Sequence, residues 1–256
     1  MQNDLLKINV KEETDKISAF IKKTLARQKI EKVVIGVSGG IDSATTLYLL
    51  KNSVPLKNIY AVTLPYFDNQ LEDISELIQS INLPKENFYV LHIKPMVDQL
   101  IDTFKISKED IVRRGNVMAR IRMIKIYDLA KKENALVCGT ENRSENLLGY
   151  FTRFGDEASD LEPIRHLYKT QVYELAKYLN VPQAIVQKQP SANLWKDQTD
   201  EGQFEFTYAE ADQVLNLYFD KKLPVEEIQK RGLKNADKII EFAKKNSFKH
   251  RVPYLL

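Results

Sequence analysis

The sequence predicts an α/β protein, a Rossmann-like parallel sheet flanked by helices with a helical C-terminal part. Three observations predict it. Four short apolar runs, rich in β-branched residues and ending at Cys138, alternate with segments of helical periodicity. The first run leads through a glycine turn straight into a helix. Beyond Lys169 only helical repeats recur, with irregular stretches between them.

In chain order, Ile17, Phe20, Ile21 and Leu25 place a helix from about Glu13, covering one face of the sheet. Val33 to Val37 reads as a buried strand. Ser38-Gly39-Gly40-Ile41-Asp42-Ser43 follows as a tight turn, and Ala44 to Leu50 continues as a helix that Asp42 and Ser43 are suited to start. Ile59 to Leu64 is a second strand, ended by Pro65, with a loop through Tyr66, Phe67, Asp68 and Asn69. Leu71 to Ile81 is an amphipathic helix and Phe88 to Ile93 a third strand. A short helix over Pro95 to Phe104 and a long one over Lys108 to Lys132 lead to a fourth strand, Ala135 to Cys138. Glu141 to His166 and Pro190 to Phe206 lack a clean repeat; stretches of this length are usually functional or disordered. Helices are expected over Lys169–Leu179, Tyr208–Phe219, Val225–Lys230 and Ala236–Lys245. With no repeat, low-complexity segment or linker, residues 1–256 are read as one domain.

Composition narrows the function. The 256 residues are 43% hydrophobic and 29% charged, which describes a globular chain with material for a core. A net charge of +3 is too small to argue for nucleic acid but suits anionic substrates. No run approaches the ~20 apolar residues of a membrane span, and Met1-Gln2-Asn3-Asp4 does not begin a signal peptide, so a cytoplasmic location is expected. The single cysteine, Cys138, excludes an intrachain disulfide and reads as a small core residue rather than a nucleophile.

The turn at Gly36–Ser43 carries the chemistry. Backbone N–H groups converge there, the helix N-terminus adds positive partial charge, and glycines let a ligand approach. A phosphate or pyrophosphate fits such a concavity. The turn is not a Walker A loop, since the lysine is absent. Ser-Gly-Gly-x-Asp-Ser after a strand resembles the PP-loop of the ATP pyrophosphatases, which cleave ATP to AMP and pyrophosphate. In parallel sheets ligands bind beyond the strand C-termini, so this loop, Leu64-Pro65-Tyr66 and Gly139-Thr140-Glu141 should gather at one crevice. Asp42 can reach a phosphate-bound metal; Glu145 either joins it or is a solvated loop carboxylate. Trp195 either anchors its loop or stacks on a base, and Tyr66 and Phe67 either shape an adenine pocket or end a strand. His92, His166 and His250 have no spacing of a triad or metal site.

Further motifs make the chain resemble the ammonia-dependent NAD synthetases. They are Gly115 to Met123, Gly139 to Glu145, Gly149 to Asp156, Asp160 to Ile164, Lys169 to Val172, Pro190 to Trp195 and Gln198 to Gly202, in family order. The resemblance implies an adenine nucleotide alpha hydrolase-like fold and a ligase of the last step of NAD biosynthesis. ATP would activate the carboxylate of deamido-NAD as an acyl-adenylate, which ammonia converts to NAD, with AMP and pyrophosphate released. Gly36, Val37, Ser38, Gly39, Gly40, Ile41, Asp42 and Ser43, with Thr140, Lys169 and Ser191, would hold ATP. Asp42 and Glu145 would bind Mg²⁺, and Asp42 and Lys169 would be catalytic. Arg120, Arg153, Asp160, Phe248 and Lys249 would contact deamido-NAD at the interface of a homodimer. The family pattern His-Lys-Arg is replaced here by Phe248-Lys249-His250-Arg251, with only Lys249 a tolerable match. Only 37 residues precede Ser38, so no amidase domain is expected ahead of the loop. The rival readings are a GMP synthetase, a tRNA-modifying ligase and a non-catalytic nucleotide-binding regulator.

Overall fold

The computed structural model describes residues 5–67, 71–195, 197–250 and 253–254. Asp68, Asn69, Lys196, Arg251 and Val252 lie outside these. Four parallel strands, β1 (Lys32–Gly36), β2 (Ile59–Thr63), β3 (Phe88–Val90) and β4 (Ala135–Cys138), are ordered β3-β2-β1-β4. Val34 pairs with Tyr60 on one side and Val137 on the other. The chain therefore runs outward from β1 through β2 to β3, then returns to β1's other side. That reversal opens a crevice at the C-terminal ends of β1 and β4.

Alternation along β1 supplies both faces of the sheet. Val33 and Ile35 pack with Ile17 and Ile21 of helix α1 (Val10–Gln28), Leu47 of α2 (Ile41–Ser53), Leu77 of α3 (Leu71–Ser80) and Leu175 of α7 (Lys169–Tyr178). Val34 instead meets Val97 of α4 (Lys94–Thr103) and Met118 and Ile121 of α5 (Ile111–Glu133). A third core joins Leu148 of α6 (Arg143–Leu148) and Phe204 of α9 (Asp200–Phe204) to α10 (Tyr208–Leu215) and α12 (Ala236–Asn246). Helices α8 (Gln183–Val186) and α11 (Val225–Lys230) complete the chain.

Several boundaries move for local reasons. α1 starts at Val10 rather than about Glu13 because the Asn9 side chain accepts from the Glu12 N–H. α5 starts at Ile111 because Asp110 caps it through the Arg113 N–H. β3 stops at Val90, opposite Thr63, rather than at Ile93, because two residues on, the segment after β2 reaches Pro65, which has no N–H to continue a ladder. The two stretches read as irregular each hold a capped helix. Asn142 and Glu145 form a reciprocal capping box that starts α6, and Thr199 caps α9 through the Gly202 N–H. The helix expected over Tyr208–Phe219 is α-helical to Leu215 and then widens into a π turn, Asn216–Asp220. Helix α8 after Pro182 escaped the periodicity because four residues make barely one turn.

Candidate active site

The phosphate-type turn joins β1 to α2 at the sheet's reversal point. Gly40, not Asp42 or Ser43, is the helix cap. Gly39 sits at φ 77, where a Cβ would be strained, so glycine is required there. Ser43 lies inside the first turn, and its hydroxyl donates to the Gly40 carbonyl at 3.0 Å and accepts from the Ser38 N–H at 3.3 Å. Gly36 through Ser43 all line a cavity of about 380 Å³, as do Thr140, Glu145, Lys169, Ser191, Trp195 and Lys249.

Asp42 points from the first turn of α2 into this cavity. The Lys169 ammonium, at the start of α7, lies 2.5 Å from Asp42 Oδ2 and 3.0 Å from Glu145 Oε1. Asn142 Nδ2 donates to the other Asp42 oxygen at 2.9 Å, which orients the carboxylate. Lys169 is 2% exposed and also lies 5.0 Å from the centre of the Tyr208 ring. Burial opposes its charge, but Asp42, Glu145 and Asp200 together outweigh that and raise its pKa. Burial raises the Glu145 carboxyl; Lys169 pulls it down, while Asp42 and Asp200 push it up. Asp200 itself accepts from the hydroxyls of Tyr150, at 3.2 Å, and Tyr208, at 3.1 Å.

Two carboxylates that share one ammonium face a common point. A Mg²⁺ ion commonly takes one or two carboxylates with phosphate oxygens and water, so Asp42 and Glu145 fit such an ion. No set of three or more His, Cys, Asp or Glu side chains placed to hold a metal occurs among the described residues. A metal held by these two carboxylates would draw its remaining ligands from substrate oxygens and water.

The supports beneath Lys169 and Glu145 were not legible as a site. The Asp212 carboxylate, fully buried on α10, accepts from Ser144 Oγ at 2.5 Å and from the Thr170 N–H at 2.8 Å. Ser144 Oγ in turn accepts from the Lys169 N–H at 2.8 Å. This ties the start of α6 to the start of α7. The only sequence signal is an aspartate set into the apolar face of Ala211, Val214 and Leu215. Asn142 had a clearer one, since Asn-x-x-Glu is a capping pattern.

The dinucleotide candidates are placed differently. Arg120, Arg153, Asp160 and Phe248 are absent from the cavity lining. Arg120 Nε donates to the Arg153 carbonyl at 3.3 Å, and the Arg153 guanidinium lies 5.3 Å from the centre of the Phe248 ring. Asp160 accepts from the Val137 N–H at 2.7 Å, along the outer edge of β4. Lys249 alone turns into the cavity, donating to the Gly149 and Phe151 carbonyls at 2.7 and 2.9 Å. Leu64 and Pro65 line the cavity but Tyr66 and Phe67 do not; Tyr66 donates to Asp98 at 2.6 Å. His166 pairs with Glu13 and His250 with the Asn146 carbonyl, both at 2.6 Å. Cys138 is 2% exposed, and burial pushes its thiol up.

Beside the cavity, the buried Glu141 lies against the half-buried Glu162, whose carboxylate accepts from the Glu141 N–H at 3.2 Å. Burial raises Glu141 from 4.5 to about 8, with Arg165 opposing and Glu162 adding to the rise. Burial likewise raises Glu162 to about 7. A carboxyl whose folded pKa lies above its unfolded one holds its proton more tightly when folded. Its stabilisation is full below about pH 4.5 and is lost as pH rises toward 8. Glu141→Gln removes that titration. The melting temperature of the variant relative to the parent is therefore expected to climb between pH 5 and pH 8. A constant difference across that range would contradict it.

A glycine turn and helix start at a sheet's reversal point, with convergent charges beside them, define a nucleotide-using α/β enzyme that handles phosphate. Within that class the chain belongs to the NAD synthase family, whose sequence profile matches residues 13–253. The NH(3)-dependent NAD(+) synthetase of Fusobacterium nucleatum is 38% identical over 98% of this chain and 97% of its own. An NH3-dependent NAD synthetase from Campylobacter jejuni, solved with a nitrate ion, is 31% identical with a TM-score of 0.80, over 97% of this chain and 100% of that one. The NMN synthetase of Francisella tularensis is 33% identical with a TM-score of 0.82, over 98% of this chain and 99% of that one. No helix among the described residues is long and apolar enough to cross a membrane.

Proposed function

We propose that this chain amidates the nicotinate carboxylate of deamido-NAD with ammonia, driven by cleavage of ATP to AMP and pyrophosphate. The observation that carries this reading is the meeting of Lys169, Asp42 and Glu145 beside the Gly36–Ser43 turn. A carboxylate is a poor acyl donor because its oxygen leaves badly. Attack of that oxygen on the α-phosphorus forms an acyl-adenylate and breaks the bond to pyrophosphate. Ammonia then forms the C–N bond, the acyl C–O bond breaks, and AMP leaves. The turn's N–H groups, the Ser38 and Ser43 hydroxyls and the α2 N-terminus would receive the phosphates. Thr140 and Ser191 line the same cavity and would contact ATP. A Mg²⁺ ion held by Asp42 and Glu145 would screen charge on the departing pyrophosphate. Lys169 would place a positive charge against the transferring phosphate and so is assigned a catalytic role with Asp42. Neither step needs a covalent nucleophile.

Arg120, Arg153, Asp160, Phe248 and Lys249 are proposed to hold deamido-NAD. Support comes from the clustering of Arg120, Arg153 and Phe248 on one face. Phe154 and Phe248 there are 57% and 47% exposed, a patch that a second copy of the chain would cover in a homodimer.

The test supplies deamido-NAD, ATP, Mg²⁺ and either ammonium or glutamine to the purified chain, and counts pyrophosphate, AMP and amidated product. Ammonium is expected to support one-for-one synthesis and glutamine none. Cys138→Ala should keep most of the activity, because the thiol is buried and protonated. Glutamine-supported synthesis in ammonia-free conditions would refute the reading. Since one solved relative is an NMN synthetase, the mononucleotide counterpart of deamido-NAD is the second acceptor to test. A clear preference for it would move the substrate assignment while leaving the chemistry in place.

A further inference from the structure

Among the described residues, four cations line the cavity: Arg122, Lys169, Lys188 and Lys249. Three of them are committed within it. Lys169 is held by two carboxylates, Lys249 by two backbone carbonyls, and Arg122 Nε donates to the Leu64 carbonyl at 3.1 Å. Lys188 differs. Its ammonium reaches Asp73 of α3 at 2.9 Å, and the two side chains are 35% and 42% exposed. An ion pair this open to water is screened and weakly held.

Its position matters more than its partner. A methyl group built on Gly39 would lie 3.9 Å from Lys188 Nζ, which places the ammonium beside the phosphate-type turn. Asp42, Glu145 and Asp200 make the inner end of the cavity acidic, with Lys169 opposing them. A polyphosphate bringing several more negative charges needs a further cation at the turn. Lys188 is the lining cation there whose partner is readily given up.

We propose that Lys188 is a further phosphate-binding residue, which leaves Asp73 to engage the pyrophosphate portion of ATP and of the released product. Asp73 is then a competitor for the ammonium and not a structural anchor. The exchange would also tie the segment entering at Gln187–Pro190 to the bound nucleotide. The inference rests on the reading of this cavity as the ATP site.

Asp73 and Lys188 should act in opposite directions, which a purely structural ion pair would not do. Binding of inorganic pyrophosphate and of ATP to the purified chain would be measured by calorimetry with Mg²⁺ present, with melting curves as a check on folding. Lys188→Ala is expected to weaken pyrophosphate about tenfold, the scale of one charge-assisted contact. Lys188→Arg should recover most of that loss, and Asp73→Ala should tighten pyrophosphate. AMP affinity should be unchanged in all three. If Asp73→Ala and Lys188→Ala weaken pyrophosphate alike, or if neither changes it, the inference is overturned. A parent chain that binds neither ATP nor pyrophosphate would overturn the ATP reading and this inference with it, whereas the variant outcomes bear on Lys188 alone.

Discussion

Asp42→Asn is expected to lower ATP-dependent amidation by about 10²–10³-fold, the scale seen when one preorganised electrostatic contact to a transition state is removed. The change keeps the shape of the side chain. Its amide oxygen can still accept from Asn142 Nδ2, so the local hydrogen bond survives. What disappears is a negative charge 2.5 Å from Lys169 Nζ and beside the phosphate turn. Lys169 keeps Glu145 at 3.0 Å, so the buried ammonium is not left alone and the chain should fold. ATP–pyrophosphate exchange driven by deamido-NAD and thermal melting separate these effects. Exchange at the parent rate would remove Asp42 from the metal and the chemistry.

Lys169→Met should do more damage, and of a different kind. It removes the buried cation between Asp42 and Glu145, with Asp200 close enough to influence all three. Uncompensated buried charge is strongly destabilising, by about 3–5 kcal/mol when one partner of a buried pair is lost. For a chain of this size that corresponds to a fall of roughly 6–20 °C in melting temperature, together with loss of activity. A divalent cation can replace the missing charge without restoring the side chain. Added Mg²⁺ is therefore expected to raise the melting temperature of Lys169→Met well beyond its effect on the parent, while amidation stays absent. Equal Mg²⁺ effects on both proteins would argue that Asp42 and Glu145 do not share a cation site.

Lys169 shows where sequence reading reaches its limit. The motif around it placed it among the ATP contacts only through resemblance. Spacing along the chain could not bring it to Asp42, which lies 127 positions away. Glu145 was an open choice between metal ligand and solvated carboxylate. The capping box at Asn142 starts α6 with the Glu145 side chain turned back toward the cavity, where it meets Lys169 instead of open solvent; its metal role is the proposal made above. Trp195 lines the cavity. Tyr66 and Phe67 do not, and Leu64 and Pro65 take the wall expected of them.

The parallel α/β layout, the Gly36–Ser43 turn and the longer helices were legible in the sequence, and the family through its motifs. The layout, the turn and the helices follow from short-range rules: β-branched runs, paired glycines after a strand, helical periodicity and capping residues. Only the tertiary structure decided which side chains meet. The reversal of strand order at β1 opens the crevice, and α6 and α7 are docked against it through Ser144 and Asp212. The joining of Lys188 to Asp73, 115 positions away, was settled in the same way. These contacts depend on how helices from distant parts of the chain pack on one end of the sheet. Packing of that kind is set by the shape and burial of the whole core and leaves no periodic mark in any single segment.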